Sequence, residues 1–230
     1  TYNNAVSLSA DNSFGTTNSA ILFAGTVNSS TSTARALSAN VGTSNITFTG
    51  AVGGAQGLGN ISLTSTGITT FSSTVNASAL TQNSSTGTTA INGVTITTTN
   101  AQTYGNAVVL GAATTLNTTN SNIAFSSTLN SSTSARNLTL NAGTGAVSFA
   151  GIVGGSLALG SVSITATTTT NNAAISGMGA YSITGNAVIN AAISGVSSIS
   201  VSGTSTIGAS VTTTGSQSYS GATTLAATPI

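Results

Sequence analysis

Two arginines, one aspartate and four tyrosines are the only charged or titratable side chains in this 230-residue sequence. They are Arg35, Arg136, Asp11, Tyr2, Tyr104, Tyr181 and Tyr219, and His, Lys, Cys, Glu and Trp are absent. General acid and base chemistry draws on His, Asp, Glu, Lys, Tyr or Cys with a tuned pKa. The many Ser and Thr hydroxyls stay inert without a neighbouring base to take their proton. Zinc needs Cys, His and carboxylate ligands, and calcium six to eight oxygens that usually include several carboxylates. Two separated arginines and a net charge of +1 offer nucleic acid no basic surface. The expectation is a chain that is not an enzyme, with no catalytic residue, no cofactor, no metal and no nucleic-acid partner.

Residues of this kind need a scaffold, and composition says which kind. Hydrophobic residues make up 39% and the mean hydropathy is +0.35, whereas disordered chains combine low hydrophobicity with high net charge. Val, Ile, Thr, Leu and Phe recur throughout, and the one proline is Pro229. That is a β-strand composition. Absence of Cys excludes a disulfide framework and leaves the redox compartment open. No basic segment followed by an apolar run opens the sequence, so no signal peptide is visible. The uncharged window from Ser148 to Ala166 approaches the length of a membrane span. Its counterpart from Thr47 to Ser65, TFTGAVGGAQGLGNISLTS, is far too polar for one, so no membrane insertion is expected.

Self-similarity organises the chain. TYNNAVSL (Thr1 to Leu8) returns as TYGNAVVL (Thr103 to Leu110) and as SYSGATTL (Ser218 to Leu225). Ile21, Phe23 and Asn28 match Ile123, Phe125 and Asn130; after a single deletion Arg35 matches Arg136, and Phe48, Val52 and Gly53 match Phe149, Val153 and Gly154. The long repeat is about a hundred residues, with repeats at 1–102 and 103–217 and a partial third at 218–230. Inside it, an I/V-x-F-x-x-x-V/L pattern recurs as Ile21, Phe23, Val27; Ile46, Phe48, Val52; Phe71, Val75; Ile123, Phe125, Leu129; and Val147, Phe149, Val153. The shorter period of about 20–25 residues fits one coil of a solenoid, and about ten coils fit in the chain.

Alternation within each core gives the physical reading. In NITFTGAV, Ile46 and Phe48 share one strand face while Asn45, Thr47 and Thr49 share the other. Turns are expected at Gly53-Gly54, Gly154-Gly155 and Asn92-Gly93. Coils stacked about 4.8 Å apart would set the apolar residues above in apolar ladders, and Asn, Thr and Ser in hydrogen-bonded ones. Like charges at that spacing would repel, which accounts for their rarity. The expected fold is all-β: a parallel β-solenoid running continuously over 1–230.

Position in the repeat also bears on the polar residues. Tyr2, Tyr104 and Tyr219 share one phase about five coils apart, too distant for a common sugar platform, which favours packing or corner roles. Arg35 and Arg136 share another phase, where each could hold an anionic group but reads more simply as a solvated corner residue. Asp11 has Ala112 as its counterpart and receives no role. Sequons at Asn28, Asn45, Asn60, Asn76, Asn83, Asn117, Asn130 and Asn137 are glycosylation candidates, and glycans there would keep an uncharged fibre soluble. Thr-x-Thr pairs such as Thr95/Thr97 look scattered, which counts against a flat ice-binding array.

The segments QTYGNAVVLGAATTL, NITFTGAVGGAQGLGNISLTS and TTTGSQSYSGATTL resemble repeats of giant bacterial exoproteins of the filamentous haemagglutinin type, over most of the chain except 165–214. The resemblance implies a right-handed parallel β-helix, secretion across the outer membrane, and work in adhesion, biofilm or surface fibres. The expected function is a structural or adhesive solenoid, extracellular or at the cell surface. It is either a section of a giant surface protein or a subunit stacking head to tail, with itself, glycans or host and cell surfaces as partners. The alternatives are a functional amyloid subunit, an outer-membrane β-barrel and an ice-binding solenoid. Neither end carries an evident cap, and Ser218 to Ile230 restarts the repeat, as a longer array or a stacking subunit would.

Overall fold

The computed structural model of the chain describes residues 1–83, 86–93 and 95–226. Pro229 and the end of the partial third repeat lie outside the described residues. None of the described residues is helical, and every strand pairing is parallel. Each coil contributes three strand segments to three faces, here A, B and C in chain order. Face A begins with Tyr2 and Ile21–Phe23, face B with Val6–Leu8 and Val27–Ser29, and face C with Asn12–Gly15 and Leu37–Asn40. The result is a three-sided parallel β-solenoid. Face B can be followed rung by rung through Val6, Val27, Val52, Val75, Ile96, Leu116, Leu140, Ile164, Ile183, Val201 and Tyr219. Those eleven rungs, at about 4.8 Å each, make a rod about 50 Å long.

Coil length is uneven. Val27 to Val52 spans 25 residues and Ile183 to Val201 only 18, below the expected range. The short coils lie where the repeat pattern is weakest. There the corners shrink until one strand serves two faces, as Val162–Asn171 does, with a register shift between Thr165 and Thr168.

Period-two alternation places the apolar residues inside. Ile21, Phe23, Val27, Ile46, Phe48, Val52, Phe71, Val75, Ile123, Phe125, Leu129, Val147, Phe149 and Val153 are all buried. Each such side chain contributes about 1.5–3 kcal/mol by leaving water. Aromatic rings form two stacks. Tyr2, Phe23, Phe48 and Phe71 stack on face A with centroids 5.0–5.4 Å apart, and Tyr104, Phe125 and Phe149 on face C at 5.2–5.3 Å. The rung spacing alone brings the rings face to face, near the offset-stacked separation that aromatic pairs favour.

These stacks correct one expectation. Residues equivalent in the long repeat do not lie above one another. Phe23 is on the second rung of face A, and its counterpart Phe125 is on the sixth rung of face C. The 102 residues between them therefore make four and two-thirds coils. Val27 on face B and Leu129 on face A show the same step. Tyr2, Tyr104 and Tyr219 consequently lie on faces A, C and B in turn.

Corners repeat as well. Asn18 and Asn120 adopt positive φ (58° and 55°), and each offers its Oδ1 to a backbone N–H of the next coil, Thr43 at 2.9 Å and Thr144 at 3.0 Å. Above each sits a glycine of positive φ, Gly42 or Gly143, where a Cβ would collide with that same Oδ1. Of the predicted glycine corners, Gly53 and Gly154 take positive φ (68° and 71°); Gly93 does not, and is small because the Ser73 backbone runs beside it.

Candidate functional site: a hydroxyl-lined face

Outward positions of face B carry the most regular polar surface. One row runs Thr95, Thr115, Thr139, Ser163, Ser182, Ser200, Ser218, each paired with the next across the ladder. Two residues along each strand runs a second row of Asn76, Thr97, Asn117, Asn141, Thr165 and Thr184. Rows two residues apart on a strand are separated by about 6.6 Å, and neighbours within a row by about 4.8 Å. Face C adds Ser13, Ser38, Ser62, Thr81 and Thr103 in one row, interrupted above by Ala124 and Val188. Face A is less polar outside, with Leu22, Ala90 and Val109 in its outward row.

The Thr95/Thr97 pair is thus one rung of an aligned array, not a scattered pair. Unequal coil lengths hide the phase in the sequence, and the pairings reveal it. Part of the hydrogen-bonding capacity runs along the axis. Asn141 Nδ2 donates to Asn117 Oδ1 at 2.8 Å, Asn117 Nδ2 to Thr97 Oγ1 at 3.4 Å, and Ser200 Oγ to Ser182 Oγ at 3.2 Å. At the lower end of this face lies a groove lined by Gly53, Thr74, Asn76, Thr95 and Thr97. Asn76, Thr95 and Thr97 supply it with hydrogen-bonding groups beside a mostly apolar lining.

The charged residues do not converge on a site. Asp11 accepts a hydrogen bond from the Ala36 N–H at 2.9 Å, bridging two coils. Arg35 lies between faces B and C and Arg136 between A and B, so they occupy different corners. In both, the backbone N–H donates to a Ser Oγ at 2.9 Å (Ser29 and Ser131), and the backbone carbonyl accepts from Gly59 and Gly160 at 2.8 Å. That is a corner role at both positions.

Several sequon asparagines tie coils together. The Oδ1 atoms of Asn28, Asn45, Asn130 and Asn137 accept from backbone N–H groups of the following coil at 2.8–3.0 Å, and Asn83 donates to Ser62 Oγ at 2.7 Å. Asn117 belongs to the face B ladder. Asn60 and Asn76 are exposed, while Asn130 is buried.

A buried polar network went unread in the sequence. Gln102 Nε2 donates to the carbonyls of Asn117 (2.8 Å) and Ile96 (3.2 Å) and to Thr98 Oγ1 (3.3 Å). Tyr181 likewise donates to Asn171 Oδ1 at 3.1 Å. Burial holds both the Tyr104 and Tyr181 phenols well above their ordinary pKa, and the Asn171 bond offsets part of that for Tyr181. One rung below Tyr104, Gln82 is buried with neither side-chain polar atom bonded to any described residue. The available signal was parity: Leu80 and Gln82 fall on one strand face, so a buried leucine implied a buried glutamine. Compared with family models, with curated proteins and with solved structures, the chain shows no significant match.

Proposed function

We propose that this chain is a non-catalytic structural and adhesive solenoid, working outside the cell or at its surface as part of a larger rod or fibre. The observation that carries this reading is the division between a continuous apolar interior and the aligned Thr, Ser and Asn rows of face B. The interior and its backbone ladders supply length and stiffness. The outward hydroxyls and amides supply weak, repeated contacts to carbohydrate or another polar surface, which gain strength by multiplicity. The groove beside Asn76 and Thr97 is one place for such contact. Scarcity of charge supports the same reading, because copies can lie rung above rung without repulsion. Immunogold labelling of the source cells tests it. Label on surface fibres or the outer envelope is expected, and label confined to the cytoplasm overturns the reading.

The aligned face B array also favours a second reading, binding of an ordered lattice such as ice. Against it stands the use of Asn117 and Asn141 as donors and acceptors along the axis rather than outward. Ice recrystallisation assays with the purified chain decide between the two. The outer-membrane barrel loses its basis, because such barrels pair their strands antiparallel and this chain pairs them parallel. The amyloid reading is weakened by coils of 18 to 25 residues with different inward side chains, which do not stack as identical layers.

A further inference from the structure

Face A carries an outward row that reads nearly the same in both directions. From the second rung to the tenth it runs Ala20, Asn45, Ile68, Thr88, Ala107, Thr128, Ile152, Ala174 and Ala192, each just before the first inward residue of its rung. Counted away from Ala107 on the sixth rung, Thr88 answers Thr128, Ile68 answers Ile152 and Ala20 answers Ala192. Only Asn45 and Ala174 differ, and Asn45 Oδ1 is already engaged by the Ile68 N–H at 2.8 Å. From this symmetry we infer that face A is a contact surface for a second copy of this chain. The two rods lie side by side with their axes reversed, related by a two-fold axis along the sixth-rung strand. The inference rests on the reading of the chain as a rod in a larger fibre and adds a lateral partner to it.

Exposure, geometry and area carry it. Ile68 and Ile152 are 45% and 43% exposed, the two large apolar side chains that the described residues leave in water along the middle of the rod. They sit in this one row, four rungs or about 19 Å apart. A two-fold axis along the strands reverses the rod axis and leaves positions along each strand unchanged, so the row faces itself. Ile68 of one copy then meets Ile152 of the other, twice, and Ala107 meets Ala107, as a self-complementary interface requires. Rods paired with parallel axes would instead set the isoleucines against the opposite edge of the face, where Ser72, Asn92 and Ser132 lie. The adjoining outward row adds Leu22, Thr47, Thr70, Ala90 and Val109, and neither row holds a charged residue. A face about 40 Å long and about 13 Å wide buries about 1,000 Å² over two copies, the size at which a specific interface becomes stable.

Charge exchange across the contact tests both the pairing and its register. In sedimentation velocity at high concentration the unsubstituted chain should run as a particle of twice its 22.0 kDa mass. I68K alone and I152E alone should each weaken dimerisation about tenfold or more, and I68K/I152K should abolish it by setting like charges together at both contacts. I68K/I152E should restore the dimer, because each introduced cation then meets an introduced anion of the other copy. Within one rod the two positions are about 19 Å apart, well beyond a Debye length at physiological salt, so an internal ion pair cannot mimic the rescue. Both side chains point outward, and circular dichroism of each variant checks that it folds. A monomeric unsubstituted chain overturns the inference, while the rod reading still stands or falls by the immunogold label. Dimers that survive I68K/I152K, or that I68K/I152E fails to restore, overturn the reversed pairing.

Discussion

Tyr104 donates its hydroxyl hydrogen to Oε1 of Gln102 at 2.8 Å, and both side chains are wholly enclosed by the solenoid. The amide end of Gln102 in turn holds the carbonyls of Ile96 and Asn117, so a single side chain ties two rungs of face B to the aromatic stack of face C. This part of the interior is polar, and its energetics differ from those of the apolar columns around it.

Stability should respond to alkali and to little else. Tyr104 and Tyr181 stay protonated in the folded state because burial raises their pKa, while in the unfolded chain a tyrosine ionises near pH 10. Above that pH the folded state binds more protons, so stability falls as pH rises, by about 1.4 kcal/mol per unit per tyrosine. The melting temperature should be flat from pH 5 to 9 and about 5–10 °C lower at pH 11, read by circular dichroism at matched ionic strength.

Gln82→Leu and Gln102→Leu should move stability in opposite directions. Gln82 lies between Leu63 and Tyr104 with neither polar atom bonded to any described residue, so the leucine removes a desolvation penalty and should stabilise by about 1–2 kcal/mol. Gln102→Leu strands the Tyr104 hydroxyl and should cost about 1–3 kcal/mol. Denaturant midpoints of the two variants give the comparison.

Phe48→Ala should be among the most damaging single changes. The ring is stacked between Phe23 at 5.0 Å and Phe71 at 5.4 Å and is 1% exposed, so its loss opens a void in a closed column. The expected cost is about 3–5 kcal/mol. A change of under about 1 kcal/mol in equilibrium unfolding would mean that the column collapses freely.

Neighbouring glycines should differ sharply. Gly53→Ala forces a positive φ on alanine and drives its Cβ into the Asn76 carbonyl oxygen, for a cost of about 1–3 kcal/mol from the backbone alone. At Gly54 the nearest atom is the Ala51 Cβ at 3.3 Å and φ is ordinary, so Gly54→Ala should be nearly neutral. Paired thermal melts separate the two.

Much of the architecture was legible in the sequence. The alternation around Ile46 and Phe48 told which side chains point inward, and the spacing of Phe23, Phe48 and Phe71 told the length of a coil. Which face each residue occupies was not legible. Coil length changes from 25 to 18 residues as corners grow or shrink, so a phase counted from Phe23 no longer holds by Phe125. The hydroxyl array suffered the same fate. Thr95, Thr139 and Ser182 share a row only once the pairings are known, since 44 and then 43 residues separate them. Gln82 was overlooked for a different reason: its one signal is its parity with Leu80, and an amide read by itself suggests an outward position.

The offset of four and two-thirds coils bears on how such a gene can change. If equivalent segments serve equally well on any of the three sides, recombination between repeats need not add or delete whole coils. A gain or loss equal to one side, roughly a third of a coil, keeps strands above strands and corners above corners. Homologous alleles would then differ in rod length by finer steps than the coil itself, and each such step would turn every distal motif to a new side of the rod without disturbing the interior that holds it.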